Sequence, residues 1–337
     1  MIPGTTAKFC AIILFCGLLF GQPPLSRGRE VKIPAMHEWQ DRGTVLQKGG
    51  TGSWDARLTG MINPCTVIRK NGTYFLYYIG ASGNRATDGG PAFRALGVAT
   101  STDGEKFVKF SGNPVLKHLP HNNPEEGIFS AGSSLDENGN IVLHYGAIWA
   151  ANETTESVRS YIAAATSRDG FVFEDKGYIV RWDDPDVWGY GDELSPVGSM
   201  RSKGNWYVYY IAKGTHVPLW SLGLAWGPAA NHLPNTEPVF SKLNFIDGGG
   251  DPVLLGDGKL ALFVNPRNSR NKIEIRTSSL SAPGRFGSAV QTYYFKQGIF
   301  GQTVFLDAES ETWRMYYLSG KGNAIRLMTA PVSYTGS

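Results

Sequence analysis

The sequence predicts an all-β chain folded as a five-bladed β-propeller, its last blade closed by an N-terminal strand. Three observations predict this. A strand of aromatic or apolar residues, preceded by a turn signal, recurs five times, and no segment keeps a helical period. The fifth unit lacks the outer strand of the earlier units, and a strand of that kind stands near the N-terminus instead. Three or four short strands per unit, repeated over about 300 residues, are the pattern of a propeller.

In chain order, residues 1–29 read as a signal peptide and short linker, and residues 30–337 as the propeller domain. Lys8 precedes the apolar run Phe9–Phe20, too short for a transmembrane span but suited to an export signal. The expected location is secreted or periplasmic, with no membrane association after signal cleavage. Gly43-Thr-Val-Leu-Gln47 is the expected closing strand. Blade one reads as Val67-Ile68, Gly72-Thr-Tyr-Phe-Leu-Tyr-Tyr78 and Ala95–Thr100. Blade two reads as Ser133–Leu135, Gly139-Asn-Ile-Val-Leu-His-Tyr145 and Tyr161–Thr166. Blade three follows with Val197–Met200, Gly204-Asn-Trp-Tyr-Val-Tyr-Tyr210 and Leu222–Trp226. Blade four has Val253–Leu255, Gly258-Lys-Leu-Ala-Leu-Phe-Val264 and Ile273–Thr277. Blade five has Val304–Leu306, Thr312-Trp-Arg-Met-Tyr-Tyr317 and Ile325–Thr329. Outer strands are expected at Gly112-Asn-Pro-Val-Leu116, Gly177-Tyr-Ile-Val180 and Glu237-Pro-Val-Phe240. The last unit stops at Pro331-Val-Ser333, so the N-terminal strand completes it and leaves no open edge.

Composition narrows the function. A formal charge of +3 and the lack of a basic cluster interleaved with aromatics argue against nucleic acid. Two of the three cysteines, Cys10 and Cys16, fall in the leader, so no disulfide framework is expected. Cys65, in an apolar strand, reads as a buried thiol. No His or Cys spacing supports a metal site. Nothing in the sequence indicates a cofactor or a structural calcium ion in a central channel, and a monomer is expected. The repeated Ser-x-Asp-Gly turns at Asp103 and Asp169 read as hairpins tied by side-chain hydrogen bonds, not as catalytic groups.

Residues just before the inner strands of a propeller converge near its axis. Aligned on the turn before each aromatic strand, that end carries Asp55 and Asn63 in blade one, and Glu125 and Glu126 in blade two. Blade three offers Asp192 and Glu193, blade four Asp247 and Asp251, and blade five Gln302. A carboxylate cluster of this kind is the minimum equipment for glycoside hydrolysis, which needs one protonated acid and one ionised base or nucleophile. Arg57 stands where it can hold Asp55 ionised or bind substrate. His216 is a candidate proton donor or sugar-binding group. Trp220, with Trp149, Trp182 and Trp188, is a candidate platform for sugar rings. Arg267 and Arg270 are candidates for an anionic sugar or a phosphate.

Several segments resemble the five-bladed propeller glycosidases, including glycoside hydrolase families 43, 32, 117 and 130. Phe129-Ser-Ala-Gly-Ser-Ser-Leu-Asp-Glu-Asn-Gly-Asn-Ile-Val-Leu-His-Tyr145 looks like the second-blade segment of family 32. Ala99-Thr-Ser-Thr-Asp-Gly104 with Gly112-Asn-Pro-Val-Leu116 is similar to segments of the same family. Asn63-Pro64 followed by Asn71-Gly-Thr-Tyr-Phe-Leu-Tyr-Tyr78 looks like the first blade of family 43, and Glu193-Leu-Ser-Pro196 sits where that family carries its third-blade general acid. Family 43 has Asp-Pro where this chain has Asn63-Pro64, and a neutral amide cannot activate water. Either the base moves to Asp55 or activity is lost. The Asn-Asp-Pro-Asn signature of family 32 is absent.

The resemblance implies an exported glycoside hydrolase acting on O-glycosidic bonds of poly- or oligosaccharides. Glu193 would be the acid and Asp55 the base or nucleophile, with Glu126, Asp192 and Asp251 shaping the charge around them. Two alternatives stand beside it: a family 130-type phosphorylase using Arg57, Arg267 and Arg270, and a non-catalytic carbohydrate-binding propeller. In each reading the partner is a carbohydrate.

Overall fold

The computed structural model describes residues 29–58, 65–82, 93–117, 127–149, 159–189, 193–213, 221–239, 246–249, 252–256, 258–266, 269, 271–296, 298–319 and 324–335. They form five antiparallel sheets, the five blades of a propeller. Blade one has a split inner strand, Arg57–Leu58 and Cys65–Lys70, both paired with Thr73–Ser82; Phe93–Ser101 and Val108–Lys109 follow outward. Blade two runs Gly127–Leu135, Ile141–Trp149, Arg159–Ser167 and Glu174–Val180. Blade three runs Glu193–Ser202, Asn205–Lys213, Ser221–Gly227 and Asn235–Pro238. In blade four Ile246–Gly249 and Val253–Gly256 share the partner Lys259–Pro266, with Lys272–Ser279 and Gln291–Tyr294 outside. Blade five has Ile299–Asp307, Thr312–Ser319 and Ala324–Pro331, and its outer strand is Gln40–Gln47 from the N-terminus.

The aromatic strands are continuous runs, not alternating ones, because each lies in the middle of a blade and is buried on both faces. Tyr74, Leu76 and Tyr78 pack toward blade five, while Phe75, Tyr77 and Ile79 pack toward blade two. The core accordingly divides into five apolar clusters, one in each gap between neighbouring blades.

The same strands carry a polar latch from blade to blade. Tyr77 donates to the Gly170 carbonyl of blade two at 3.0 Å, and Tyr209 to Pro283 of blade four at 2.9 Å. Tyr316 of blade five donates to Gly104 of blade one at 2.8 Å. The equivalent residue of blade two is His144, whose Nε2 lies 2.9 Å from the Ala230 carbonyl of blade three. A carbonyl only accepts, so this nitrogen carries the proton. Blade four has Phe263 at this position, packed against Trp313.

His144 is fully buried, and burial lowers its pKa from 6.5 to about 4, opposed only by the bond to Ala230. The folded chain therefore keeps the ring neutral where the unfolded chain binds a proton. Stability is complete above about pH 6.5, falls as pH drops toward about 4, and changes no further from this source below that. The loss amounts to about 3 kcal/mol at most. Thermal melts between pH 4 and 7 check this: His144→Phe is expected to flatten the slope, and an unaltered slope would refute the neutral latch.

The turns behave as expected from their sequence. Asp103 accepts the N–H groups of Glu105 and Lys106 at 2.8 Å, and Asp169 those of Phe171 and Val172 at 2.8 and 2.9 Å. Both turns deliver the glycine carbonyls used by the latches.

One expectation about outer strands needs correction. In blade one the outer strand is only Val108–Lys109, and Gly112–Leu116 forms a single isolated backbone bridge with the sheet, Leu96 to Leu116. The reason is Asn113. Its side chain accepts the Val98 N–H at 2.9 Å and donates to the Val98 carbonyl at 2.8 Å, standing in for a backbone partner. Blade four carries the outer strand Gln291–Tyr294, for which the sequence offered no signature.

Closure of the ring extends beyond the expected Gly43–Gln47. Gln40–Gln47 pairs antiparallel with Ala324–Pro331. Upstream, Lys32 donates to Ser333, Thr335 donates to Glu30, and Val31 donates to Leu255 of blade four. The chain ends thus hold each other and a neighbouring blade.

Candidate functional site at the inner strands

Each inner strand is the first of its blade, so the starts of these strands share one face of the ring. The strands are lined with small hydroxyl and amide groups where the blades crowd together. Thr66 and Ser133 hydrogen-bond at 2.9 Å between blades one and two, and Gln302 donates to the Phe263 carbonyl at 3.0 Å.

Glu193 is the first residue of the blade-three inner strand and is only 4% exposed. Its backbone lies opposite Lys213. The next residue, Leu194, is in the apolar cluster between blades two and three. Alternation along a strand therefore points the Glu193 carboxyl away from that core. The strand is held closely by blade two. A Cβ on Gly132 would stand 2.7 Å from the Ser199 nitrogen, and one on Gly146 would stand 2.9 Å from Pro196 Cδ. These glycines are what allow the two blades to meet so near the axis.

Asp55 sits differently. It is 3% exposed, and its carboxylate accepts Ser53 Oγ at 3.0 Å, the Tyr78 hydroxyl at 3.2 Å and Lys109 Nζ at 2.6 Å. The turn that carries it lays Trp54 across the sheet, where a Cβ on Gly80 or Gly97 would come within 2.5 or 2.6 Å of the indole. Blade three repeats the device. Trp188 covers Gly223, and the Tyr210 hydroxyl donates to the Trp188 carbonyl at 2.8 Å. Asp55 thus does for Tyr78 what the Trp188 carbonyl does for Tyr210: it anchors the loop to the second strand. Trp188 is packing in this arrangement, not an open sugar platform.

Arg57 opens the short strand Arg57–Leu58 opposite Ala81, and its buried Nε has no hydrogen-bond partner among the described residues. Asn63, Glu126, Asp192, His216, Trp220, Asp251 and Arg267 lie outside the described residues. Among the described residues no three His, Cys, Asp or Glu side chains converge to hold a metal ion. Sequence reasoning missed Lys109 as the partner of Asp55, and Ser160, whose hydroxyl bonds Leu194 beside Glu193. The one available signal was the glycine opposite Tyr78 and Tyr210, Gly97 and Gly223, which marks where an indole packs.

No protein-family model matches the chain. A sucrose-6-phosphate hydrolase of Escherichia coli is 31% identical over 136 residues, 37% of this chain. The match takes in only 27% of that relative's length. Solved structures match more fully. A β-1,2-mannobiose phosphorylase from Listeria innocua superposes with a TM-score of 0.58 at 14% identity, over 89% of this chain and 92% of its own. A glycosyl hydrolase from Bacteroides ovatus gives 0.58 at 15% identity, over 89% and 96%. Zg3597, a family 117 glycoside hydrolase of Zobellia galactanivorans, gives 0.57 at 15% identity, over 88% and 92%. The chain is a five-bladed β-propeller of the architecture found in these glycoside hydrolases and in the mannoside phosphorylase.

Proposed function

We propose that the protein is an exported carbohydrate-active enzyme that cleaves O-glycosidic bonds of oligo- or polysaccharides, with Glu193 as the general acid. One observation carries this reading: a nearly buried glutamate opens the inner strand of blade three in a fold used by glycosidases. A carboxylic acid shielded from water is the arrangement that suits proton donation to a leaving oxygen. Export is supported by the apolar run Phe9–Phe20 after Lys8.

Asp55 enters this reading as an anchor, since Ser53, Tyr78 and Lys109 occupy its oxygens. The base role then falls to Glu126, Asp192 or Asp251, which directly or nearly precede the inner strands of blades two, three and four. Phosphorolysis is the second reading. It is favoured by Arg57, a cation at the start of blade one whose Nε is unengaged among the described residues.

A screen of aryl glycosides and oligosaccharides, with and without inorganic phosphate, tests the proposal. Release of free sugar independent of phosphate is expected for hydrolysis. Sugar phosphate formed only with phosphate would move the reading to phosphorolysis. No turnover on any glycoside, with retained sugar binding, would overturn both in favour of a binding propeller.

A further inference from the structure

We infer that Ser160 is the positioning residue for the Glu193 carboxyl, an inference that rests on the reading of Glu193 as the acid. Ser160 is the second residue of the third strand of blade two and is completely buried. Its hydroxyl reaches across the blade boundary and engages both backbone groups of Leu194. Oγ accepts the Leu194 N–H at 2.6 Å and donates to the Leu194 carbonyl at 3.0 Å. A hydroxyl has one proton and two lone pairs, so both bonds form together. No aliphatic side chain can replace them.

The position matters because strand ends fray and Glu193 is the first residue of its strand. Pairing with blade three alone fixes its backbone from one side. Ser160 fixes the adjacent residue from the other. The Gly146 and Gly132 contacts secure the strand farther along, at Pro196 and Ser199, too far from Glu193 to set its carboxyl. Ser160 does not touch the carboxyl itself. It acts through the two backbone bonds at Leu194, which set the direction in which the preceding side chain leaves the strand.

The test compares wild type with Ser160→Ala, Ser160→Thr and Glu193→Gln. On the glycoside selected by the screen, Ser160→Ala is expected to lower kcat about ten- to hundred-fold with little change in KM, as slight misplacement of a catalytic group does. It should also displace the alkaline limb of the pH–rate profile, which a general acid sets as it loses its proton. Ser160→Thr, which keeps the hydroxyl, should restore most of the rate. A substrate-free measurement runs beside it: glutamate side-chain ¹³C NMR, with the Glu193 resonance identified by its loss in Glu193→Gln. Ser160→Ala is expected to move the Glu193 titration midpoint. A folded Ser160→Ala protein with the wild-type midpoint overturns the inference, and so does one with the wild-type kcat where Glu193→Gln is inactive. If Glu193→Gln keeps full turnover, the acid reading fails instead, and the NMR titration still decides whether Ser160 sets this carboxyl.

Discussion

Replacing Glu193 by Gln is expected to lower turnover about 10²–10⁴-fold, the usual worth of a positioned general acid. The amide has nearly the same shape, so the strand start keeps its packing at a site that is 4% exposed. It has no acidic proton to give to the leaving oxygen. Steady-state rates on the glycoside selected by the screen check this, with thermal melts showing that the variant is folded. The loss should fall on kcat more than on KM, because proton donation is needed in the transition state and not for binding.

The largest expected loss of stability lies elsewhere, at the seam between blades five and one. Asp307 ends the inner strand of blade five and is 2% exposed. Arg69 of blade one reaches it at 2.9 Å and Arg314 of blade five at 3.7 Å, while the Tyr74 and Ser310 hydroxyls donate to it. Both guanidinium groups also lie over the Tyr74 ring, at 5.0 and 4.9 Å. Asp307→Ala leaves both cations over the Tyr74 ring, with the exposed carboxylate of Glu309 bonded to Arg69. Breaking such a buried pair costs about 3–5 kcal/mol. A fall in Tm on the order of 5–10 °C should follow.

The same residue sets a pH dependence. Burial pushes the Asp307 pKa up, but bonds from Ser310 and Tyr74 and the charge of Arg69 outweigh this and hold it below the ordinary value of 3.8. A depressed carboxylate contributes stability that is present above its unfolded pKa and lost as pH falls through its folded pKa. Loss from Asp307 therefore begins below about pH 4, under the window assigned to His144. Asp307→Ala should melt low at neutral pH and lose less than wild type on further acidification. Equal acid slopes in both proteins would contradict the stabilising role of the ionised Asp307.

Much of this architecture could be read from the sequence because its signals are local. The five aromatic strands, the turn signals before them and the outer strand at Gly43–Gln47 that the fifth unit lacks each need only a few neighbouring residues. The outer strand of blade one departs from its sequence pattern because Asn113 imitates a strand with its side chain. The site was harder to read because its partners are distant in sequence. Ser-Trp-Asp-Ala-Arg around Asp55 resembles a loop that presents an acid. The lysine that occupies the acid is 54 residues away. Ser160 stands in an ordinary strand, and nothing local shows that its hydroxyl closes on Leu194, 34 residues on. His144 aligns with Tyr77, Tyr209 and Tyr316 in the sequence. Its role depended on a backbone carbonyl of another blade, which no alignment of side chains displays.

The central claim is that Glu193 gives its proton to the departing oxygen. The most direct measurement is the rate of wild type and Glu193→Gln on one series of glycosides that differ only in leaving-group acidity. A missing acid matters most when the leaving group is a poor one. The penalty of Glu193→Gln should be small for a dinitrophenyl glycoside and grow steadily toward alkyl glycosides. A penalty that is the same across the series, or none at all, would contradict the claim.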